Sequence, residues 1–130
     1  MSTCAKPFEN IHDFTKSNMV KVVCNQMQEA LYFSRSAIPW HADHDQAAIK
    51  PLHHIGLYAY RAGFLQKFPK LPRSPLESTE SLEQLRALEF GYRIKVLITD
   101  AHTGFGIDTE LDLDHARRIA VPFDKGNSVE

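Results

Sequence analysis

The tetrad Ser74-Pro75-Leu76-Glu77 constrains the fold more than any other feature of the sequence, because it fixes where a helix must begin. Ser74 can accept from the backbone N–H of Glu77 while the Glu77 side chain reaches back, and Pro75 takes the first helical position, where its missing N–H costs nothing. Leu82, Leu85 and Leu88 then follow as one apolar stripe, and Gly91 suits the left-handed backbone that ends a helix. The spacing predicts a helix over 75–90. Strand-like runs lie on both sides of it: 20–24 is short and β-branched, 30–33 is apolar, 54–60 alternates, and 93–99 is again β-rich. Strands alternating with helices predict an α/β domain.

Finer expectations follow from periodicity. Alternation over 54–60 puts His54, Gly56, Tyr58 and Tyr60 on one side and Ile55, Leu57 and Ala59 on the other, and the second set is expected to face the core. Phe64, Leu65 and Phe68 have helical spacing before Pro69 and Pro72 interrupt the chain, which gives a short helix. Asp108 or Thr109 caps a last helix with Leu113, Ala116 and Ala120 on one side, and 122–130 is expected to be loose.

Composition narrows the function. A chain of 130 residues is typically one domain with one modest core. Fifteen Lys and Arg stand against 16 Asp and Glu, so no positive field exists to hold nucleic-acid phosphates. No apolar run approaches the roughly 20 residues that span a bilayer, and 1–10 has no signal-peptide pattern, so a cytoplasmic protein without a membrane partner is expected. Cys4 and Cys24 show no CxxC spacing and read as structural thiols.

Several polar residues could carry chemistry, each beside a plainer role. Arg35 follows an apolar strand and could clamp a carboxylate or phosphate through its fork of donors, or it could simply be solvated. His54, Tyr58 and Tyr60 offer a ring nitrogen and hydroxyls to a polar ligand, although alternation on any half-exposed sheet face gives the same pattern. Glu80, Glu83 and Gln84 share one sector of the 75–90 helix, which a solvated face explains equally well. Asp108 either caps the last helix or offers one oxygen to a hard cation. His41, Asp43, His44 and Asp45 are dense in ligand types but match no closed zinc spacing and read as a loop. Glycine-rich phosphate loops, HExxH and GxSxG are absent.

Four ordered motifs carry a resemblance. They are Ala30-Leu31-Tyr32-Phe33-Ser34-Arg35 running to Pro39-Trp40, His53-His54-Ile55-Gly56-Leu57-Tyr58-Ala59-Tyr60-Arg61, Ser74-Pro75-Leu76-Glu77 running on to Leu82-Glu83-Gln84-Leu85-Arg86, and Gly106-Ile107-Asp108-Thr109. Together, from residue 1 to about 118, they resemble the C-terminal half of the 3-deoxy-manno-octulosonate (KDO) cytidylyltransferases, or CMP-KDO synthetases. The Ser-Pro-Leu-Glu and Leu-Glu-Gln-Leu-Arg runs separate that family from the CMP-sialic acid synthetases, which share its fold.

The resemblance implies half of a nucleotide-diphospho-sugar transferase fold, Rossmann-like, with a mixed sheet and flanking helices. It implies transfer of CMP from CTP to KDO with release of pyrophosphate, for lipopolysaccharide synthesis, in a homodimer. Arg35 would contact the sugar acid, His54 and Tyr58 would line the sugar site, Glu83 and Gln84 would hydrogen-bond its hydroxyls, and Asp108 would be one of two carboxylates on Mg²⁺. The family's triphosphate-gripping loop and second metal-binding Asp have no counterpart here, so 1–121 is expected to be the acceptor-sugar half of a truncated enzyme. A non-catalytic sugar-binding or dimer-forming remnant is the alternative. Gln28 stands where the family usually has a glycine in the strand-strand turn.

Overall fold

The computed structural model of the protein describes residues 1–40, 50–100, 107 and 110–119. Five strands form one mixed sheet: β1 (Ser2–Pro7), β2 (Lys21–Cys24), β3 (Ala30–Ser34), β4 (Leu52–Ala59) and β5 (Lys95–Ile98), in the order β3-β2-β4-β1-β5. The neighbours pair antiparallel except β1 with β5, which run parallel. Helices α1 (Ala62–Lys67), α2 (Pro75–Glu80), α3 (Gln84–Glu89) and α4 (Glu110–Ile119) accompany the sheet, with 3₁₀ turns at Ile11–Thr15 and Phe68–Lys70. The α/β class and four of the strands agree with the sequence expectations. No described helix is long and apolar enough to cross a membrane.

β1 carries no strand pattern of its own, since Ser-Thr-Cys-Ala-Lys-Pro is not a β-branched run. Its place between β4 and β5 comes from partners on both sides. Thr3 and Ala5 alternate inward and are buried. The sheet also curls back on itself. Ala30 N donates to Ile94 O at 2.8 Å and Val96 N to Gln28 O at 2.8 Å, which ties the far edge of β5 to the start of β3. Lys95 adds a side-chain bond to the Met27 carbonyl. Phe33, Val22, Ala5 and Val96 meet Leu82, Leu85 and Ala87 inside the curl.

The β2–β3 turn is closed by Asn25, whose Oδ1 accepts from the N–H groups of Met27 and Glu29 at 2.9 Å each. Gln28 sits there at φ 56°, the left-handed conformation that favours the family's glycine.

The expected helix over 75–90 is two helices. Its capping box is present as anticipated, with Ser74 and Glu77 bonded reciprocally and Pro75 leading. The chain then breaks at Ser81, which is left-handed at φ 53° and ψ 49°. In an unbroken helix the carbonyls of Glu80 and Ser81 would accept from Gln84 and Leu85. Here Arg35 takes both, which is the physical reason for the break. Gly91, at φ 76°, follows the end of α3 as expected. In α4, Leu113 and Ala116 are half-buried while Leu111 is exposed. Asp108, Thr109, Ala120, 41–49 and 122–130 lie outside the described residues.

Candidate functional site

Arg35 leaves the end of β3 and clasps the junction of α2 and α3. Its Nε donates to Glu80 O at 2.8 Å, one terminal nitrogen to Ser17 O at 3.1 Å, and the other to Ser81 O at 3.3 Å. A guanidinium has five N–H groups, so the three contacts leave two for a ligand. The Glu80 carboxylate answers from the helix side, accepting from Ser34 Oγ at 2.6 Å, from the Arg35 N–H at 2.9 Å and from Tyr32 at 3.4 Å. Burial works to raise the Glu80 pKa, but these donors outweigh it and hold the carboxyl below its usual range.

Beneath this clasp the Lys21 ammonium is fully buried on three carbonyls, those of Lys16 (2.9 Å), Met19 (2.8 Å) and Arg35 (2.5 Å). Burial pushes its pKa down. The three acceptors make it a brace for the strand end that presents Arg35.

The β4 alternation is resolved against expectation. His54 is buried and Tyr58 is half-buried, whereas Leu57, expected in the core, is 65% exposed. The His54 ring meets Phe33 edge-on at 4.8 Å and Tyr58 at 5.5 Å, and Tyr58 continues to Tyr60 at 5.9 Å. Tyr60 stacks on Phe64 of α1. Aromatic rings bury more area than Ile or Ala, and their polar atoms find partners, so the aromatic face wins the interior. A register shift assists: Thr3 opposes Tyr58 while Cys4 opposes Ile55, so Gly56 and Leu57 are extra residues on β4.

This burial sets the electrostatics. Burial, reinforced by neighbouring His53, pushes the His54 pKa down to about 4, so the ring is neutral. Burial pushes the Tyr58 hydroxyl far up, with the Glu83 carboxylate and Tyr60 adding to it. Tyr60 is raised by the same two causes, burial and then Glu83. Glu83, exposed at the start of α3, therefore stands within electrostatic reach of both tyrosines.

Glu80, Glu83 and Gln84 do not form the solvated sector of a single helix. Glu80 is bonded into the β3 end, Glu83 is exposed, and Gln84 is 2% exposed with its Nε2 unpartnered. A buried amide donor without a partner costs free energy, which makes Gln84 a candidate to meet a ligand or a water. Arg35 donates to the Ser81 carbonyl, Glu83 and Gln84 follow that break in sequence, and the His54 ring lies against that of Tyr58. Asp108 lies outside the described residues. Sequence reasoning missed Thr3, whose hydroxyl touches His54 Nε2 at 2.9 Å, because nothing marked β1 as a strand.

Two clefts are present, and none of Arg35, His54, Tyr58, Glu83 or Gln84 lines either. An open one of about 320 Å³ borders the tyrosines through Tyr60 and is lined also by Met1, Ala59, Arg61 and Lys95. A smaller one of about 80 Å³ lies between Lys6, Phe8, Asp13 and His53. Among the described residues no three His, Cys, Asp or Glu side chains group as a metal site. Cys4 and Cys24 are free thiols.

Comparison with known proteins bears on the family of the chain. A family model described as cytidylyltransferase matches residues 1–95. A 3-deoxy-manno-octulosonate cytidylyltransferase of Xanthomonas campestris pv. campestris is 51% identical over 124 residues, covering 90% of this chain and 50% of that protein. Its counterpart in Leptothrix cholodnii is 47% identical over 124 residues, covering 91% and 46%. A solved structure of CMP:2-keto-3-deoxy-manno-octonic acid synthetase complexed with CTP matches with a TM-score of 0.82 and 40% identity, over 90% of this chain and 47% of that one. The chain spans about half the length of these relatives. A match over most of its residues, and a sheet that superposes on the solved enzyme, show that this chain belongs to the cytidylyltransferase family.

Proposed function

We propose that this chain is the acceptor-sugar half of an enzyme that transfers CMP from CTP to KDO. The observation that carries this reading is the Arg35 guanidinium at the Ser81 break, three residues before the buried and unpartnered Gln84 amide, with the His54 and Tyr58 rings packed together on β4. The two uncommitted N–H groups of Arg35 suit the sugar carboxylate. The Gln84 amide, the Tyr58 hydroxyl and the Glu83 carboxylate suit its hydroxyls, and a neutral His54 adds no charge to compete for the acid.

In the reaction, the anomeric hydroxyl oxygen of KDO attacks the α-phosphorus of CTP in line. The bond to the β-phosphate oxygen breaks, pyrophosphate leaves, and the hydroxyl proton passes to solvent. Little covalent work falls to the protein, so this half acts by holding the nucleophile in place. Asp108 is proposed as a Mg²⁺ ligand, since a hard cation takes carboxylate oxygens. A homodimer, a cytoplasmic location and a role in lipopolysaccharide synthesis belong to the same proposal.

Calorimetry with KDO and CTP, beside a pyrophosphate-release assay, tests it. KDO binding that weakens at least tenfold in Arg35→Ala supports the sugar site. Added CTP binding and pyrophosphate release would make the chain an enzyme by itself, whereas KDO binding alone favours a sugar-binding remnant. Full-length folded protein that binds no KDO refutes the site.

A further inference from the structure

We propose that Thr3 is a positioning residue for the sugar site: it holds His54 in the Nε2–H form, so that Nδ1 presents a lone pair and accepts from a sugar hydroxyl. The ligand in this statement rests on the acidic-sugar reading above, but the ring form does not.

The argument is a proton count. The Thr3 hydroxyl has one hydrogen, and it lies 2.8 Å from Leu57 O and 3.1 Å from Ile55 O. Both carbonyls can only accept, and the Nε2–H form of His54 is the one that lets the hydroxyl serve a carbonyl while still bonding the ring. The third neighbour of Thr3 Oγ1 is His54 Nε2 at 2.9 Å, in a buried setting. With its hydrogen committed, the oxygen can only accept, so Nε2 must carry the ring proton. Nδ1 is then left with a lone pair, and it makes no hydrogen bond among the described residues.

The surroundings support a neutral ring. His54 is 8% exposed, packed against the rings of Phe33 and Tyr58, with His53 as its titratable neighbour on β4. Among the described residues no carboxylate is bonded to it. A neutral acceptor recognises a hydroxyl and gives a carboxylate nothing, which leaves the acid to Arg35. Thr3 performs a second task in the same geometry. The two carbonyls near its hydroxyl belong to Ile55, just before the extra residues of β4, and to Leu57, the second of them, so one side chain holds both the bulge and the ring.

Long-range ¹H–¹⁵N NMR of the labelled full chain at pH 7 reads the ring directly. One pyrrole-type nitrogen at Nε2 and one pyridine-type nitrogen at Nδ1 are expected. A pyrrole-type Nδ1, or two pyrrole-type nitrogens, overturns the proposal. Saturating KDO should shift the Nδ1 resonance in the direction of hydrogen-bond acceptance, and an Nδ1 resonance that ignores bound KDO overturns the hydroxyl contact.

In Thr3→Val the single-form signature should be lost and KDO binding should weaken about tenfold, while Thr3→Ser, with the same donor and acceptor, should restore both. An unchanged ring in folded Thr3→Val overturns the positioning role. If unmodified protein shows the Nε2–H form yet binds no KDO, the acidic-sugar reading fails and the ring assignment stands.

Discussion

Arg86 grips Glu77 with two nitrogens at once: Nε reaches Oε2 at 2.8 Å and a terminal nitrogen reaches Oε1 at 2.7 Å. Glu77 is also the residue that closes the capping box of α2, so one carboxylate starts that helix and joins it to α3. The guanidinium lies 4.8 Å from the centre of the Phe68 ring and donates to Leu71 O, which adds the 3₁₀ turn to the same assembly.

Removing Arg86 should therefore leave a buried carboxylate without its partner. Arg86→Met is expected to cost about 3 kcal/mol in urea denaturation. The pair also has a pH signature. Hydrogen bonds from Arg86 hold the Glu77 carboxyl below its usual range, against burial, which pushes the other way. A depressed folded-state pKa stabilises above the unfolded value of 4.5 and loses that contribution as pH falls through the folded one. Acid denaturation curves of Glu77→Gln should lack that component, and identical curves would contradict it.

His54 gives a second pH dependence with its own window. Its folded pKa lies at about 4 against an ordinary 6.5, so between these values the unfolded chain binds the proton and the folded one does not. Stability must fall as pH drops from 6.5 towards 4. In His54→Gln the slope of unfolding free energy over that range should shrink. Burial also lowers His53, so some slope remains, and the difference between the two proteins is the quantity to measure.

Arg35→Lys tests whether shape or charge matters at the β3 end. The charge is kept, but one ammonium cannot span the carbonyls of Ser17, Glu80 and Ser81. A loss of about 1–2 kcal/mol is expected by urea denaturation. A lysine variant as stable as the parent would show that the clasp contributes little.

Gln28→Gly should stabilise the protein by about 0.5 kcal/mol. The left-handed backbone costs a residue with a Cβ about 1 kcal/mol or more, and the added freedom of glycine in the unfolded chain returns part of that gain. Gln28→Ile, β-branched at the same φ of 56°, should move the thermal midpoint down. Opposite ordering of the two variants would refute the account.

These residues also show why part of the site could be read from sequence and part could not. Ser74-Pro75-Leu76-Glu77 declared the start of α2 because a capping box is a local device, complete within four residues. The end of α2 was illegible, since the carbonyls of Glu80 and Ser81 are drawn away by Arg35, more than forty residues earlier in the chain. β4 behaves likewise. Its alternation correctly grouped His54 with Tyr58, but periodicity does not say which face is inside.

Local chemistry, then, determined the α/β class, four strands, the start of α2 and the motif order that marks the family. Tertiary structure decided the central place of β1, the break at Ser81 and the inward turn of the aromatic face. Each of those outcomes depends on a partner distant in sequence: β4 and β5 for β1, Arg35 for the break, and Thr3 with Phe33 for His54. A hydrogen-bond donor or a ring acts on whatever folding brings beside it, and no window of neighbouring residues contains that information.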